Sequence, residues 1–347
     1  MSPAQDIPLP GIPERGASPA SAARHPVAGG ARLPLFCDIA LAGRIERAEA
    51  QLITAASAAA ARRAGDGSGF VIPVAGGVAS FAEADSPFSK VAGLGFGGVP
   101  DAVALAEIEQ AFAARGAATQ VELAHLADPG IGALLTSRGY QLVSFENVLG
   151  RAVPSDLRLD APPGIEVRAS GDDEFGSWLD VQIEGTAHPD TEGLPSHEEF
   201  PGLAIARAER DLAAAGVTRY AALRDGVMAG GASMRITGGI AQFTGAATAP
   251  AHRRRGIQAA LLSARLADAA AAGCDVAVVT TQPASKSHQN VQRQGFDLLY
   301  TRAILVRQPL SRPGVSRRPG QPGWPQPPSG DVASGRQRTS SERGSRS

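Results

Sequence analysis

Cysteines, aromatic residues and long apolar runs are scarce in this sequence. Its two cysteines, Cys37 and Cys274, stand far apart in a chain of 347 residues, so a disulfide framework of the kind found in small secreted proteins is not expected. No segment approaches the roughly 20 apolar residues of a membrane-spanning helix, and no signal-peptide pattern stands near Met1. These absences predict a soluble, cytoplasmic protein that does not insert into a membrane.

The sequence also lacks an excess of charge of either sign. It has 33 lysines and arginines against 34 aspartates and glutamates, a formal net charge of -1, which argues against a protein that coats nucleic acid or an acidic membrane. Hydrophobic residues make up 43% of the chain, enough for a sizeable core, and the length suggests about two domains. Neither number fixes the oligomeric state, so a homodimer stays open.

Both ends of the chain lack hydrophobic patterning. Residues 1–32 are rich in Pro, Gly, Ala and Ser and predict a disordered leader. Residues 308–347 form a Pro/Gly/Ser/Arg tail, predicted to be disordered because it cannot bury enough apolar surface to offset the entropy of ordering it. We interpret the arginines of this tail as solvated, with contact to an acidic partner as the alternative.

An internal repeat organises the region between the tails. SRGYQLVSFENVLGR at residues 137–151 aligns without a gap with RQGFDLLYTRAILVR at residues 293–307. Before the glycine of each copy, the sequence predicts a longer helix, an apolar strand and a short helix, preceded by further strands. Two tandem α/β domains are therefore predicted, 33–153 and 154–307, each with a mixed, mostly antiparallel sheet flanked by helices.

The strands of the second copy lead to an unusual helix start. Hairpin turns are predicted at residues 224–226 and 237–239, and the strand IAQFTGAAT then runs into PAHRRRGIQ. Three arginines here precede a helix, where the exposed N–H groups and the positive end of the helix dipole normally favour negative charge. An anion at this point resolves the conflict, because N–H and guanidinium groups together bind phosphate.

This strand, loop and helix resemble the acyl-CoA-binding segment of the Gcn5-related N-acetyltransferase (GNAT) family, whose signature is Gln/Arg-x-x-Gly-x-Gly/Ala. Arg253, Gly256 and Gln258 occupy its fixed positions, although Gln258 replaces the small residue of the family. The resemblance implies that the loop N–H groups bind the diphosphate of acetyl-CoA, with Gly256 allowing close approach. A solvated basic loop is the alternative. The implied cofactor-binding residues are Thr248, Arg253, Arg254, Arg255, Gly256, Ile257, Gln258, Ala259 and Asn290.

A second motif, SKSHQNVQRQGF at residues 285–296, is similar to the later helix and Gly-Phe element of the same family. Ser285 or Ser287 can cap this helix, and the resemblance places Asn290 toward coenzyme A; a capped surface helix is the alternative. Many members carry a tyrosine four residues before the glycine, where it protonates the departing thiolate, but this sequence has Val291 there. Ser287, Tyr300 and solvent are the substitute proton donors.

The resemblance implies direct attack of an amine on acetyl-CoA in a ternary complex, with backbone amides of residues 244–247 holding the thioester carbonyl. An ammonium must lose a proton before it attacks, so a base is required, and the nearest carboxylates lie in EGTAHPDTEGLPSHEEF at residues 184–200. We expect Glu184 to be catalytic together with Ser287. The spacing of the histidines in this segment matches no metal-ligand signature, so no metal is expected. The other side chains of residues 184–200 that are candidates for binding or deprotonating the amine are His188, Asp190, Glu192, His197, Glu198 and Glu199.

The equivalent loop of the first copy is AGLGFGGVPDAVAL at residues 92–105. It is rich in glycine but has neither the dinucleotide fingerprint nor the P-loop pattern, and it supplies no arginine. We interpret the first half as a degenerate GNAT-like domain that has lost coenzyme A binding and shapes the acceptor cleft.

The sequence thus predicts an N-acetyltransferase that moves an acetyl group from acetyl-CoA to an amine of an unidentified small-molecule or peptide acceptor. One alternative is a non-catalytic CoA-binding regulatory or scaffold protein. It is motivated by the missing tyrosine and by the strand IAQFTGAAT, which contains no carboxylate. A second is nucleic-acid binding through residues 252–255 and the tail, against which the balanced charge and the few aromatic residues argue.

Overall fold

The computed structural model describes residues 33–157, 162–189, 198 and 200–309, so the predicted leader and the tail from residue 310 lie outside it. Both halves contain the predicted order of strands, a longer helix, a strand, a short helix and a last strand. The helices are α1 (Ile39–Ala64), α2 (Ala102–Ala113), α3 (Gly130–Ser137), α4 (Phe175–Ala187), α5 (Gly202–Ala214), α6 (Ile257–Ala271) and α7 (Lys286–Arg293). The strands are β1 (Phe70–Val74), β2 (Gly77–Phe81), β3 (Lys90–Ala92), β4 (Thr119–Ala124), β5 (Gln141–Ala152), β6 (Ile165–Ala169), β7 (Thr218–Arg224), β8 (Val227–Thr237), β9 (Ile240–Thr248), β10 (Val276–Thr281) and β11 (Asp297–Arg307).

The strands form one continuous, mostly antiparallel sheet in the order β1-β2-β3-β4-β11-β5-β10-β9-β8-β7-β6. The two repeated strands, β5 and β11, lie side by side at its centre, and each pairs with a strand of the other half. β11 pairs with β4, with Arg302 opposite Ala124, and β5 pairs with β10, with Gly150 opposite Val278. The halves therefore exchange their last strands, and the division into domains 33–153 and 154–307 stays a prediction.

Helices cover both faces of the sheet, as the alternation along β10 shows. Ala277 packs in a core with Leu261 and Leu262 of α6, whereas Val276 and Val278 pack with Ile45 of α1, because successive side chains of a strand point to opposite faces. The helices α1, α4 and α5 share one face, which we call the α1 face. The helices α6 and α7 lie on the other, the α6 face.

A buried ion pair fixes α1 to the centre of the sheet. Arg302 of β11 donates through Nε to Oε1 of Glu46 at 2.8 Å, and the hydroxyl of Tyr300 donates to the same oxygen at 2.6 Å. Arg302 and Glu46 are 2% and 1% exposed, so neither charge is solvated by bulk water. This contact holds a helix of the first half against the last strand of the second.

Two tight turns connect the antiparallel strands β7, β8 and β9. Asp225 and Gly226 have φ values of 53° and 77°, and Gly238 and Gly239 have 54° and 79°. These left-handed conformations suit the two-residue hairpin loops that join β7 to β8 and β8 to β9, so both predicted turns are confirmed.

No helix among the described residues is long and apolar enough to cross a bilayer, and Cys37 and Cys274 are free.

Candidate active site

The sheet opens between β9 and β10. These parallel strands pair only from Ile240 to Phe243 on β9, while β10 continues beside β5 as far as Thr281. Beyond Phe243, a bulge in the β8–β9 ladder leaves Gly245 out of register, which bends β9 away from its neighbour. The result is a wedge between two strands in the middle of the sheet.

A cleft of about 600 Å³ lies on the α6 face of this wedge, and we call it the loop cleft. The end of β9, the arginine loop, the first turn of α6 and the helix α7 form its walls. Most of the side chains that the sequence assigns to coenzyme A meet here. Those that line the cleft are Thr248, Arg253, Arg254, Gly256, Ile257, Gln258, Ala259 and Asn290.

The first turn of α6 is open at its N-terminus. Gly256 is the N-cap, with φ of +84°, and no side chain caps the helix. The helices α3, α4 and α5 also have no side-chain cap, whereas Asp38, Asp101 and Ser285 cap α1, α2 and α7. The N–H groups of a first turn have no partner within their own helix. Because residues 257–259 line the cleft, the positive end of the α6 dipole faces it.

The three arginines of the loop have different environments. Arg253 donates through Nη2 to the carbonyl oxygens of His188 and, at 3.4 Å, of Gly185, so its guanidinium group holds the C-terminal end of α4. Arg254 is exposed, has φ of +60° and lines the loop cleft. Arg255 is exposed and does not line the loop cleft, so its part in binding coenzyme A stays a prediction. The charge of Arg253 lies over the last carbonyls of α4. A positive charge is favourable at this end of a helix, so Arg253 has a structural role.

Glycines set the close approach of helices to β8 and β9. A methyl group on Gly230 would lie 2.4 Å from Cγ2 of Ile257 on α6, and one on Gly231 would lie 2.6 Å from Nε1 of Trp178 on α4. A methyl group on Gly185 would lie 2.7 Å from Cβ of Ala247. All three distances are too short for carbon, so only glycine lets α6 and α4 seat on the two faces of the sheet at the wedge.

The helix α7 closes the other side of the cleft. The hydroxyl of Ser285 accepts from the backbone N–H of His288 at 3.1 Å, so Ser285 is the cap, and Ser287 is exposed at the wedge. Nδ2 of Asn290 donates to Oε1 of Gln258 at 2.6 Å, joining α7 to α6. Val291 is 1% exposed in the core under α6.

A second cavity, of about 370 Å³, continues from the loop cleft, with which it shares Ala246, Gln258, Leu262 and Ser287. On its far side it is lined by Ile45, Glu49 and Leu52 of α1. Because α1 and α6 lie on opposite faces of the sheet, this cavity passes through the wedge, and we call it the through-sheet cavity. It connects the two faces at residues 244–246.

Arg265 of α6 braces the bulge from the α6 face. It is 2% exposed and donates through Nη1 to the carbonyl oxygens of Ser233 at 3.1 Å and Thr244 at 3.4 Å. Its guanidinium group lies over the ring of Phe243, 4.4 Å from the centroid, and burial lowers its pKa to about 9. Sequence reasoning missed this residue, although an arginine between Leu261, Leu262 and Leu266 interrupts the apolar stripe of the helix.

Polar side chains converge on the bulge from the α1 face, and sequence reasoning missed them too. Oε1 of Glu209 on α5 would lie 3.2 Å from a methyl group on Gly245, and Gln182 of α4 and Ser233 lie nearby. Burial raises the pKa of Glu209 to about 7, although Arg219 lowers it. The sequence does carry a signal for Glu209. It lies three residues from both Ala206 and Leu212, so its carboxylate interrupts the apolar stripe of α5.

Other predicted candidates lie away from the wedge. Glu184 is exposed on α4 and lines neither cavity. Tyr300 is buried against Glu46 on the far side of β5 from the wedge, so the structure does not place its hydroxyl near the cleft. Glu198 accepts from Gln120 at 2.9 Å. Asp190, Glu192, His197 and Glu199 fall outside the described residues.

His188 lies at the end of α4, where its Nδ1 is 3.0 Å from the carbonyl oxygen of Glu184. Within the described part of the chain, no cluster of three or more His, Cys, Asp or Glu side chains could hold a metal ion.

The corresponding loop of the first half is filled by the protein itself. The N–H groups of Gly95 and Gly97 donate to the carbonyl oxygen of Ala75 at 3.1 and 3.0 Å, and a methyl group on Gly95 would lie 2.5 Å from Cδ1 of Ile131. At the start of α2, Oδ1 of Asp101 accepts from the N–H of Ala104 at 2.7 Å. A carboxylate therefore occupies the position that an anion would take.

Comparison with known proteins agrees with this geometry. Residues 183–296 match the family model described as the acetyltransferase (GNAT) family. A solved structure of a GCN5-related N-acetyltransferase from Kribbella flavida is similar, with 22% identity, a TM-score of 0.52, and coverage of 73% of this chain and 95% of that one. A tandem GNAT protein from the clavulanic acid biosynthesis pathway has 14% identity and a TM-score of 0.50, with coverage of 70% and 83%.

No curated protein matched the sequence. The two structural likenesses extend over most of the described chain and support its fold. The family model spans α6, the arginine loop and α7, the elements that form the loop cleft. Residues 183–296 of this chain are therefore a domain of the GNAT acetyltransferase family, within a mixed α/β fold shared with tandem GNAT proteins.

Proposed function

We propose that the protein is an N-acetyltransferase that moves the acetyl group of acetyl-CoA to an amine of a small-molecule or peptide acceptor. The observation that carries this proposal is the uncapped N-terminus of α6, which faces a cleft of about 600 Å³ leading to a gap in the sheet. Ligand sites commonly have volumes of roughly 300–1,000 Å³. The through-sheet cavity joins this cleft to the α1 face, so both substrates can reach the wedge from opposite faces of the sheet.

The diphosphate of acetyl-CoA binds at the start of α6 in this proposal. The N–H groups of residues 257–259 donate to its oxygens, and Arg254 supplies a positive charge from the same wall of the cleft. Gly256 provides the left-handed turn that directs these N–H groups into the cleft. Arg253 acts indirectly, because it ties the loop to the end of α4.

The acetyl thioester then lies in the wedge, where backbone N–H groups of residues 244–247 hold its carbonyl oxygen. Arg265 maintains the bulge that opens this strand. The amine enters from the α1 face, attacks the carbonyl carbon and forms the amide as the carbon–sulfur bond breaks. Ser287 lies where the two cavities meet, so its hydroxyl or adjacent solvent protonates the thiolate.

The first half has a supporting role in this proposal. Its own loop is packed shut and carries Asp101 at the helix start, where the carboxylate would repel a phosphate. Its helix α1 lines the through-sheet cavity with Glu49. We infer that the first half has lost coenzyme A binding and shapes the acceptor side. The free cysteines are compatible with the reducing cytoplasm.

The test combines binding and turnover. Acetyl-CoA should raise the melting temperature and give a calorimetric binding signal, because a ligand of the native state stabilises it. Thiol release with a set of amines, and incorporation of labelled acetyl groups into an extract of the source organism, then report transfer. Binding without transfer to any acceptor would favour the alternative function, a non-catalytic regulatory or scaffold protein. This alternative is motivated by the buried Val291, which stands where many family members carry a tyrosine. Absence of acetyl-CoA binding would reject both functions.

A further inference from the structure

We propose that Glu209 is the general base that deprotonates the acceptor amine at the bulge of β9. This inference rests on the proposed acetyltransferase function and assigns to it a residue that the sequence motifs do not reach. It also implies that the acceptor is a protonated amine in solution, bound on the α1 face with its nitrogen beside Gly245.

The position of the carboxylate carries the proposal. Glu209 is 8% exposed, and its Oε1 would lie 3.2 Å from a methyl group on Gly245. Gly245 itself is exposed and lines the through-sheet cavity. Glu209 lies behind Gly245 and lines neither cavity. Because glycine has no side chain at this point, a substrate nitrogen in the through-sheet cavity can approach the carboxylate across the bulge. The strand β9 itself supplies no carboxylate, so the nearest one to Gly245 is that of Glu209 on α5.

The neighbours of Glu209 form a polar pocket with unused hydrogen-bonding capacity. Gln182 is 4% exposed, and among the described residues its Nε2 has no hydrogen-bond partner. The hydroxyls of Ser233 and Thr244 bond each other at 2.7 Å beside the bulge. The unpartnered Nε2 of Gln182 lies toward Gly231, and its Oε1 lies toward Gly245. A polar substrate group beside Gly245 would therefore meet the oxygen of this amide.

The charges around Glu209 come from several elements of the α1 face. Arg219 of β7 favours its ionised form, and the Arg219 guanidinium itself pairs with Asp172 at 2.5 Å. Farther along the same face, Glu49 of α1 accepts from Gln242 at 3.3 Å, and Arg235 of β8 donates to the carbonyl oxygen of Ala48. Among the described residues, Arg219 is the cation that acts on the Glu209 carboxylate, and no cation there donates a hydrogen bond to it.

The proton balance is complete with this one base. The acceptor ammonium transfers one proton to the Glu209 carboxylate, and the neutral amine attacks the thioester carbon. As the carbon–sulfur bond breaks, the second proton on nitrogen goes to the thiolate through Ser287 or solvent, giving the amide and free coenzyme A. The protonated Glu209 then releases its proton to solvent across the bulge at Gly245, which lines the through-sheet cavity.

The pH dependence follows from the direction of the pKa shift. Burial raises the pKa of Glu209 to about 7, so the carboxylate is protonated and inactive well below that pH and ionised above it. The rate should rise with pH through about 7, which is the range in which a general base is most effective.

The test compares Glu209→Gln with wild type and with Glu107→Gln, an exposed position on α2. Acetyl-CoA and four amines (spermidine, tryptamine, glycinamide and trialanine) are the probes, with thiol release as the readout. We expect Glu209→Gln to lower kcat by about 100-fold or more, to remove the rise of rate with pH, and to leave the Kd for acetyl-CoA unchanged. Glu107→Gln should match wild type throughout.

Three results would overturn the assignment. The first is a Glu209→Gln variant that keeps kcat within threefold. The second is a variant that loses acetyl-CoA binding together with activity, since this outcome indicates a structural role. The third comes from carbon-13 NMR titration of glutamate-labelled protein, which needs no acceptor: a Glu209 carboxyl that titrates in the ordinary range contradicts the base. Wild type that binds no acetyl-CoA instead refutes the proposed function itself.

Discussion

Replacement of Gly256 by asparagine and by aspartate separates backbone strain from charge at the start of α6. The two side chains have the same shape, and both tolerate the left-handed conformation that Gly256 adopts at φ of +84°. The nearest atoms to a side chain here are Cδ1 of Ile165 and Cβ of Pro162, each 3.5 Å from the new Cβ. The cost to folding is therefore conformational, at most about 1–2 kcal/mol for either variant.

The aspartate adds a negative charge where we place the diphosphate. At a separation of about 4 Å, two unit charges repel by about 1 kcal/mol in bulk water and about 4 kcal/mol near a protein surface. Gly256→Asp should then bind acetyl-CoA between roughly fivefold and several hundredfold more weakly than Gly256→Asn. Calorimetry gives both Kd values, and thermal unfolding checks that the variants are folded. Equal affinities for the two variants would refute a phosphate site at this helix.

Three further substitutions test the packing around the site. Gly230→Ala should weaken acetyl-CoA binding in calorimetry, because the new methyl group would lie 2.4 Å from Ile257 and must displace the first turn of α6; binding equal to wild type would contradict this. Arg302→Met should lower the free energy of unfolding by about 3–5 kcal/mol, since it leaves Glu46 buried without its cation. Adding Glu46→Met should restore much of that loss in denaturant titration, and a double variant less stable than the single one would reject the explanation. Asp101→Ala should cost about 1 kcal/mol of stability through the lost cap and leave the Kd for acetyl-CoA unchanged; a changed Kd would point to a ligand in the first half.

Local features of the fold were readable from the sequence. The segment IAQFTGAAT coincides with β9 at Ile240–Thr248, and the helix predicted after the three arginines is α6 at Ile257–Ala271. The two hairpins follow from glycines that adopt positive φ. Each of these depends on neighbours in the chain, where periodicity and turn chemistry act directly.

The exchange of β5 and β11 was not predicted. The two strands repeat one sequence pattern, so either presents the same alternation to β4 or to β10. Which partner each one takes depends on packing between distant segments, including the buried contact of Arg302 with Glu46. Sequence similarity between the halves therefore identifies the repeat but not the pairing.

The residues of the candidate site likewise include some that a local motif predicts and some that only the packing of distant segments brings together. The loop residues were predicted from one short motif and line one cleft, apart from Arg255. The acidic segment at residues 184–200 predicts Glu184 as a catalytic residue, but its side chain is exposed on α4 and lines neither cavity. Glu209 and Arg265 reach the bulge from separate helices on opposite faces of the sheet, a placement that no spacing in the sequence encodes.

A crystal structure of the complex with coenzyme A is the most direct measurement of the central claim. We predict diphosphate oxygens within hydrogen-bonding distance of the backbone N–H groups of residues 257–259, with the thiol directed into the wedge at residues 244–246. Coenzyme A bound at another surface, or a loop cleft that stays empty at saturating concentration, would contradict the account.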